Sequence, residues 1–195
     1  MYCPRKSIIH GFIYSLDKKS RLLTFWLTLL CLSVFVIWNQ DIGRCQGWPG
    51  IKTRLLSDEC FSVVESDAGT RKRHCPHHDL NGKLDEEQLI YVLGTFEKET
   101  WFNPKNKMVS KKHLEKHYNR FMAKAMTNGL KSPVNINRAT LTELVMLPQV
   151  GPVLAVKIVE YRNRHNLYMT INDIEKVDGI GRGTFNAIRH YISID

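Results

Sequence analysis

The chain has 195 residues, 43% of them apolar, and a formal net charge of +9. This composition is typical of a folded protein with one ordinary domain or two small ones, and it excludes a low-complexity or collagen-like chain. The charge is uneven: +4 in residues 1–38, −3 in 39–104, +7 in 105–131 and +1 in 132–195. A basic excess acts where it is concentrated, so an anionic partner is expected near residues 105–131.

Residues 22–38, LLTFWLTLLCLSVFVIW, contain no charge, proline or glycine. As a helix rising about 1.5 Å per residue, this run approaches the thickness of a bilayer's hydrocarbon core. Five basic residues precede it, and its two tryptophans suit the membrane interfaces. We predict a single-pass anchor in the inner (cytoplasmic) membrane, with residues 1–21 in the cytoplasm and the C-terminal domain in the periplasm or outside the cell. A cleaved signal peptide is the alternative, although the following NQDIGRCQG lacks a small-x-small cleavage site.

Residues 39–78 are predicted to be a partly ordered linker that carries a cysteine and histidine cluster. Export would place its cysteines in an oxidising space, which favours a disulfide between Cys60 and Cys75. The alternative is a metal site formed by these cysteines with His77 and His78. Because the repeated C-x-x-C spacing of structural zinc sites is missing, the sequence predicts no metal and no other cofactor.

Residues 79–130 are predicted to be a helical spacer. Its first part, HDLNGKLDEEQ at 78–88, partly matches an EF-hand loop, with His77, Asp79 and Asn81 at ligand positions and Gln88 at the last one. Two of the acidic ligands that calcium needs are missing from that pattern. The better interpretation is a turn at Asn81-Gly82 followed by a helix that Asp85 caps, with Gln88 completing a capping box.

The spacer ends in a basic amphipathic helix. Ser110 is predicted as its N-cap and Asn128-Gly129 as its end. One face carries Leu114, Tyr118, Phe121, Met122, Ala125 and Met126, and a secondary basic face carries Lys111, Lys112, Lys116, Arg120 and Lys124. That basic face is either a solvated surface opposite a packed one or an electrostatic surface for phosphates or lipid headgroups.

The last third of the chain contains an internal repeat at an offset of thirty residues. The matched pairs are Thr140 with Thr170, Glu143 with Asp173, Leu144 with Ile174, Leu147 with Val177, Val150 with Ile180, Gly151 with Gly181, Ile158 with Ile188 and Tyr161 with Tyr191. Each copy predicts a threonine-capped helix, a glycine turn and a second helix. Neither copy is large enough to bury its own apolar face, so the two are expected to pack together about a pseudo-two-fold axis.

The stretches VNINRATLTELVMLPQVGPVLAVKIVEYR at 134–162 and INDIEKVDGIGRGTFNAIRHYI at 171–192 resemble a tandem helix-hairpin-helix domain. The match is to the C-terminal domain of ComEA-type DNA receptors in particular. The resemblance implies that residues 131–195 form a four-to-five-helix domain, in an all-α chain, that binds double-stranded DNA without reading its sequence. The anchor and spacer also resemble the layout of that family.

Phosphate binding by such turns has a physical basis, because backbone amides at a helix start and the helix dipole both suit an anion. The predicted gripping amides belong to Val150, Gly151 and Val153 in the first hairpin and to Gly179, Ile180, Gly181 and Gly183 in the second. Lys157, Arg182 and Arg189 are predicted to assist. The first hairpin departs from the family pattern, since Gln149 replaces its first glycine and Pro152 removes one donor.

The predicted function is that of a membrane-tethered, extracytoplasmic, sequence-independent DNA-binding protein, similar to receptors for DNA uptake. Its predicted partners are double-stranded DNA, the membrane, and DNA-uptake or secretion machinery. The alternative is a cell-envelope scaffold whose helix-hairpin-helix domain no longer binds DNA. The sequence predicts that the chain is not an enzyme, because no nucleophile and base stand at recognisable motif spacing.

Overall fold

The structure, a computed structural model, describes residues 47–130 and 133–195. The predicted cytoplasmic segment at 1–21 and the predicted anchor at 22–38 lie outside these ranges. Across residues 47–130 and 133–195, no helix has both the length and the apolar character that a bilayer span requires.

The elements follow one another as short helices, a β-hairpin and then longer helices. They are α1 (Gly50–Leu55), β1 (Phe61–Asp67), β2 (Thr70–Pro76), α2 (Glu86–Gly94), α3 (Pro104–Asn128), β3 (Val134–Asn135), α4 (Leu141–Leu144), α5 (Pro152–His165), α6 (Arg182–Ile188) and β4 (Ile192–Ser193). Short 3₁₀ helices lie at Asp58–Cys60, Phe96–Lys98 and Ile171–Lys176. The helical C-terminal domain is confirmed, whereas the prediction of an all-α chain is corrected by the strands.

The β-hairpin occupies most of the segment that was expected to be a linker. Strands β1 and β2 are antiparallel, and the register runs from Phe61 opposite Pro76 to Asp67 opposite Thr70. The two loop residues between them, Ala68 and Gly69, both have positive φ, 44° and 82°. A two-residue loop with positive φ at both positions matches the twist of the paired strands. The basic run at 71–73 concealed this strand, because a strand pattern is read from alternating apolar residues.

A buried carboxylate joins the hairpin to α3. Glu65 is 4% exposed and accepts hydrogen bonds from the backbone amides of Phe102 and Asn103 and from the Asn106 side chain. It also contacts His74 Nε2 at 2.9 Å. These bonds explain how an acidic side chain is buried at this position, since its oxygens are satisfied.

Helix α3 begins earlier than predicted. Its N-cap is Asn103, which accepts from the Lys105 amide, and Pro104 is the first helical residue, where a missing amide costs nothing. Ser110 is therefore not the N-cap. It is buried inside the helix, and its hydroxyl is hydrogen-bonded to that of Ser62. The predicted end is confirmed, with Gly129 as the C-cap at a φ of 66°.

Helix α2 packs directly on the C-terminal domain. Asp85 caps it as predicted, by accepting from the Gln88 amide. The Gln88 side chain, however, accepts from the Trp48 amide and does not complete a capping box. The first turn of α2 also presents Glu87, whose carboxylate accepts the amides of Leu141 and Thr142 at the start of α4.

Close packing at Gly94 holds α2 against α5. A side chain at this glycine would bring its first carbon within 2.6 Å of the Pro152 carbonyl oxygen and 2.5 Å of Val156. Ile90 of the same helix is fully buried in the core of the C-terminal domain. Ile90 and Phe121 thus belong to the core of the C-terminal domain, whereas Leu89, Val92, Phe96 and Leu114 form a second apolar cluster with Cys75.

The two predicted hairpins share this core. Both capping boxes are present, Thr140 with Glu143 and Thr170 with Asp173. The apolar partners of the repeat are all at most 3% exposed, namely Leu144, Ile174, Leu147, Val177, Val150, Ile180, Ile158 and Ile188. A parallel pairing of β3 with β4, Val134 opposite Ile192, joins the start of the domain to its end.

Candidate nucleic-acid interface

The two glycine turns have nearly the same backbone. In the first, the Val150 amide donates to the Leu147 carbonyl at 3.1 Å, and in the second the Ile180 amide donates to the Val177 carbonyl at 2.9 Å. Each turn ends at a glycine N-cap, Gly151 with φ −93° and ψ −177°, and Gly181 with φ −95° and ψ −180°. The repeat in the sequence is therefore a repeat in conformation.

This geometry corrects part of the predicted set of gripping amides. Because the amides of Val150 and Ile180 donate within their own turns, they are engaged before any ligand arrives. Because Gly151 and Gly181 have no side chain, neither helix start has a side-chain cap. The first amides of a helix also have no intrahelical acceptor. Among the described residues, no backbone acceptor accompanies the amides of Gly151 and Val153 in the first turn, or those of Gly179, Gly181, Arg182 and Gly183 in the second.

The two turns differ in exposure. Gly151 and Pro152 are half-buried, and α2 flanks them through Gly94, whereas Gly181, Arg182 and Gly183 are exposed. Pro152 also lacks an amide that Arg182 supplies in the second copy. The second turn therefore offers more donors on a more open surface than the first.

Of the three predicted side chains, Lys157 is engaged in an ion pair. Its Nζ lies 2.6 Å from a carboxylate oxygen of Asp178, which is 92% exposed next to Gly179. The lysine lowers the pKa of that carboxyl through their hydrogen bond and their opposite charges. Arg182 is exposed at the start of α6, and Arg189 at its end lies against the ring nitrogen of His190 at 3.2 Å. The geometry thus places Lys157 beside the second turn, although it belongs to the first hairpin.

The predicted basic face of α3 is solvent-exposed. Each of its five members, Lys111, Lys112, Lys116, Arg120 and Lys124, is exposed. On the opposite side, Leu114 and Phe121 are buried in the core, as the amphipathic pattern predicts. This arrangement leaves the charges available to an anionic partner while the helix itself remains a structural element.

The predicted disulfide is absent, since Cys60 and Cys75 are both free and buried. The Cys60 thiol donates to the Asp79 carbonyl at 3.3 Å. The Cys75 thiol lies instead between the hydroxyls of Ser62 and Ser110, and burial raises its pKa to about 11. The two sulfur atoms therefore have separate partners, and the disulfide prediction is corrected.

Among the weak metal candidates, the structure separates the cysteines from the histidines. The rings of His77 and His78 contact each other at a tilt of 45° and lie beside His113 and His117 of α3. Burial lowers the pKa of His77 to about 4, and it also lowers those of the other three, so the group is neutral at physiological pH. His113 and His117 were not among the predicted site residues, although their spacing of four residues on a helix was the available signal.

The EF-hand alternative is not supported by the geometry. Asp79 accepts the amides of Asn81 and Lys83 with a single oxygen, which makes it a turn residue. Asp85 is occupied as the cap of α2. The turn interpretation of this segment is the one that the hydrogen bonds support.

Comparison with known proteins assigns the C-terminal third. A family model described as a helix-hairpin-helix motif matches residues 130–193. ComE operon protein 1 of Bacillus subtilis is 46% identical over 66 residues, which are 34% of this chain and 32% of that protein. No solved structure matches the chain.

Mammalian proteins match as well. Endonuclease/exonuclease/phosphatase family domain-containing protein 1 of Rattus norvegicus is 37% identical over 68 residues, 35% of this chain and 12% of that protein. Its counterpart in Bos taurus is 32% identical over 143 residues, 73% of this chain and 20% of that protein. The bovine alignment is longer than the segment from residue 130 to the end, so the similarity also includes residues before the domain.

These names bear on the prediction about catalysis. The chain shares sequence with proteins named for an endonuclease/exonuclease/phosphatase domain, and this contradicts the prediction that it is not an enzyme, which is withdrawn. The chain spans about a third of the Bacillus protein and a fifth or less of the mammalian ones. What the comparisons and the repeated turns establish together is that residues 130–193 are a ComEA-like helix-hairpin-helix domain.

Proposed function

We propose that the helix-hairpin-helix domain binds double-stranded DNA through its phosphate backbone, without reading the base sequence. The observation that carries this proposal is the exposed, uncapped start of α6 at Gly181–Gly183. A first carbon added at Gly181 or Gly183 would meet nothing within 4 Å, so a phosphate can approach the backbone closely. Contacts of this kind position a protein on DNA but carry no base information.

The basic face of α3 supplies the charge that the domain lacks. Residues 132–195 carry a net charge of only +1, against +7 for residues 105–131. Affinity for DNA depends on the number of phosphates neutralised, so the hairpins alone would bind weakly. We therefore include the exposed lysines and arginine of α3 in the proposed footprint.

A membrane tether outside the cytoplasm is part of the same proposal. Its support is the uncharged run at 22–38 and the five basic residues before it. A tethered domain of this kind would capture incoming DNA and pass it to DNA-uptake or secretion machinery. Extraction of membranes at alkaline pH tests the tether: the full chain should remain with the lipid, and a chain lacking residues 22–38 should be released.

The binding test uses the full chain in mild detergent and fluorescence anisotropy with an arbitrary labelled duplex. Fragments that begin after α2 are unsuitable, because Glu87 and Gly94 belong to the fold of the domain. Gly181→Glu adds a carboxylate at the proposed phosphate site, where the backbone tolerates a side chain. Gly50→Glu makes the same change at the exposed start of α1, where the added carbon also meets nothing within 4 Å.

We expect binding by the parent to weaken steeply as salt is added. Gly181→Glu should abolish binding, whereas Gly50→Glu should retain it. Equal binding by the two variants would refute the hairpin as the phosphate site. No binding by the folded chain at low salt would favour the alternative, a protein-interaction scaffold in the cell envelope.

The contribution of α3 is tested by substitution, since deletion would remove Leu114 and Phe121 from the core. Replacing Lys112, Lys116, Arg120 and Lys124 with glutamine should flatten the dependence of log Kd on log salt, by about one unit of slope for each lost phosphate contact. An unchanged slope would exclude this face from the footprint.

A further inference from the structure

Four imidazole rings converge where the loop between β2 and α2 meets α3. His77 and His78 come from the loop, and His113 and His117 stand one turn apart on the helix. Ligand atoms of His77, His78 and His117 all lie within 4.8 Å of one another, and the Nε2 atoms of His77 and His113 are 3.0 Å apart. The ring centroids of neighbouring histidines are separated by 4.3 to 5.3 Å.

The backbone of the loop explains how adjacent histidines face the same point. Cys75 has a positive φ of 51°, which interrupts the alternation of side chains at the end of β2. The Cys75 carbonyl then lies 2.9 Å from His77 Nδ1, and only a protonated Nδ1 can donate to it. This bond leaves the lone pair of His77 Nε2 directed toward His113. Metal-binding histidines are commonly oriented in this way by a backbone carbonyl.

A hydrogen bond between His77 and His113 accounts for only two of the four rings. The approach of His78 and His117 to the same point is left without a hydrogen-bonding reason, since no bond from either ring to another described residue accompanies it. An anion is a poor occupant, because the N–H of His77 Nδ1 is already engaged by the Cys75 carbonyl and so is not available to it. Hard cations such as calcium prefer oxygen ligands and are also poor occupants. The carboxylate nearest in sequence is that of Asp79, and one of its oxygens already accepts two backbone amides.

We propose that His77, His78, His113 and His117 bind one divalent transition-metal ion of the zinc class. Neutral imidazole nitrogen is a preferred ligand of zinc, copper and nickel ions. Four nitrogens at zinc's usual bond length of about 2.1 Å stand roughly 3.4 Å apart in a tetrahedron, a spacing that small rotations of these rings can reach. The ion would link the loop after β2 to α3, and so hold the hairpin on the helix that carries the basic face.

Access to this site is open. His77 is fully buried, while His78 and His117 are half-buried and His113 is exposed. Lys116 and Arg120 stand near the cluster and oppose a cation electrostatically, and their exposure to solvent screens that repulsion. The metal proposal does not rest on the DNA-binding proposal, because its four histidines are neither in the glycine turns nor among the α3 lysines and arginine of the proposed footprint.

The experiment is a calorimetric titration of zinc chloride into the full chain after chelator treatment, with the thermal midpoint measured with and without zinc. The expected result is one ion per chain and a higher midpoint with zinc. His113 is exposed and His117 is half-buried, so glutamine at either position leaves the apolar core unchanged, and each substitution should weaken binding at least about tenfold. His165→Gln, an exposed histidine outside the cluster, is the matched control and should bind zinc as the parent does.

Cobalt replaces zinc in a second measurement that reports the ligands directly. Intense visible bands of tetrahedral cobalt should form with the parent and the control, and be lost in a chain carrying both His113→Gln and His117→Gln. Failure of the folded parent to bind zinc stoichiometrically would overturn the proposal. Binding that both single variants and the double variant retain unchanged would overturn it as well.

Discussion

Gln149 and Gly179 occupy equivalent positions in the two glycine turns and share a positive φ, 63° at the glutamine and 92° at the glycine. Each is followed by a residue whose amide donates within its own turn, and then by the glycine N-cap of the next helix. The turn therefore imposes its conformation on a residue that adopts it only at a cost of about 1 kcal/mol or more.

This strain predicts opposite results from reciprocal substitutions. Gln149→Gly should leave the free energy of unfolding unchanged or raise it by up to about 1 kcal/mol, because relief of strain is partly offset by the entropy of the unfolded glycine. Gly179→Gln should lower it by about 1–2 kcal/mol. A side chain there also meets Leu154 at 2.9 Å. Urea denaturation measures both, and equal losses of stability would contradict the argument.

The difference between the two turns predicts unequal effects on DNA binding. Gly181→Glu should weaken binding by at least about tenfold, since a carboxylate would face the phosphate. Gly151→Glu should weaken it by less than about threefold, because the first turn is half-buried and lacks the Pro152 donor. Anisotropy at one low salt concentration compares them. A larger loss with Gly151→Glu would reverse the proposed ranking.

The ion pair between Lys157 and Asp178 predicts a gain of affinity. Asp178→Asn removes a negative charge beside the second turn and frees Lys157, so DNA binding should tighten by about two- to fivefold at low salt. The thermal midpoint should not change, because an exposed ion pair contributes little to stability. Weaker binding by this variant would show that the aspartate is needed to position the lysine.

The contact of α2 with α4 predicts that Glu87 stabilises the C-terminal domain. Glu87→Ala should lower the free energy of unfolding by about 1–2 kcal/mol, because two amides at the start of α4 lose their acceptor. Glu86→Ala, one residue away on the same helix, should cost less than about 0.5 kcal/mol. Chemical denaturation of the two variants decides this, and similar losses would argue against a capping role.

Glu65 predicts a dependence of stability on pH. Burial raises the pKa of this carboxyl, but its hydrogen bonds from Phe102, Asn106, Asn103 and His74 outweigh that effect and lower it from 4.5 to about 2. Because the pKa is lower in the folded state, Glu65 stabilises the fold at pH values above its unfolded-state pKa. That contribution is lost as the pH falls from 4.5 toward 2.

The measurement is urea denaturation of the parent and Glu65→Gln at several values of pH. The variant should be less stable near neutral pH, and the difference between the two proteins should shrink as the solution becomes acidic. A difference that stays constant with pH would show that the ionised form of Glu65 is not the stabilising one.

Local signals in the sequence predicted much of the C-terminal domain. The threonine capping boxes and the end of α3 at Gly129 each depend on residues within a few positions of one another, and the thirty-residue repeat presents the capping box twice. The strain at Gln149 was predictable for the same reason, because the second copy of the turn shows a glycine at that position. Backbone conformation and capping are short-range properties, so a sequence pattern carries them.

Only the tertiary structure placed the remaining features. The Ser62–Ser110 bond and the bond from the Leu141 amide to Glu87 join residues far apart in the chain, and they give Ser110 a buried partner and connect α2 to the start of α4. The same holds for His77 and His113, which meet only because the hairpin packs on α3. The repeat and its turns were thus determined by the sequence itself, whereas the histidine cluster and the docking of α2 were decided by long-range packing, which no local pattern of residues records.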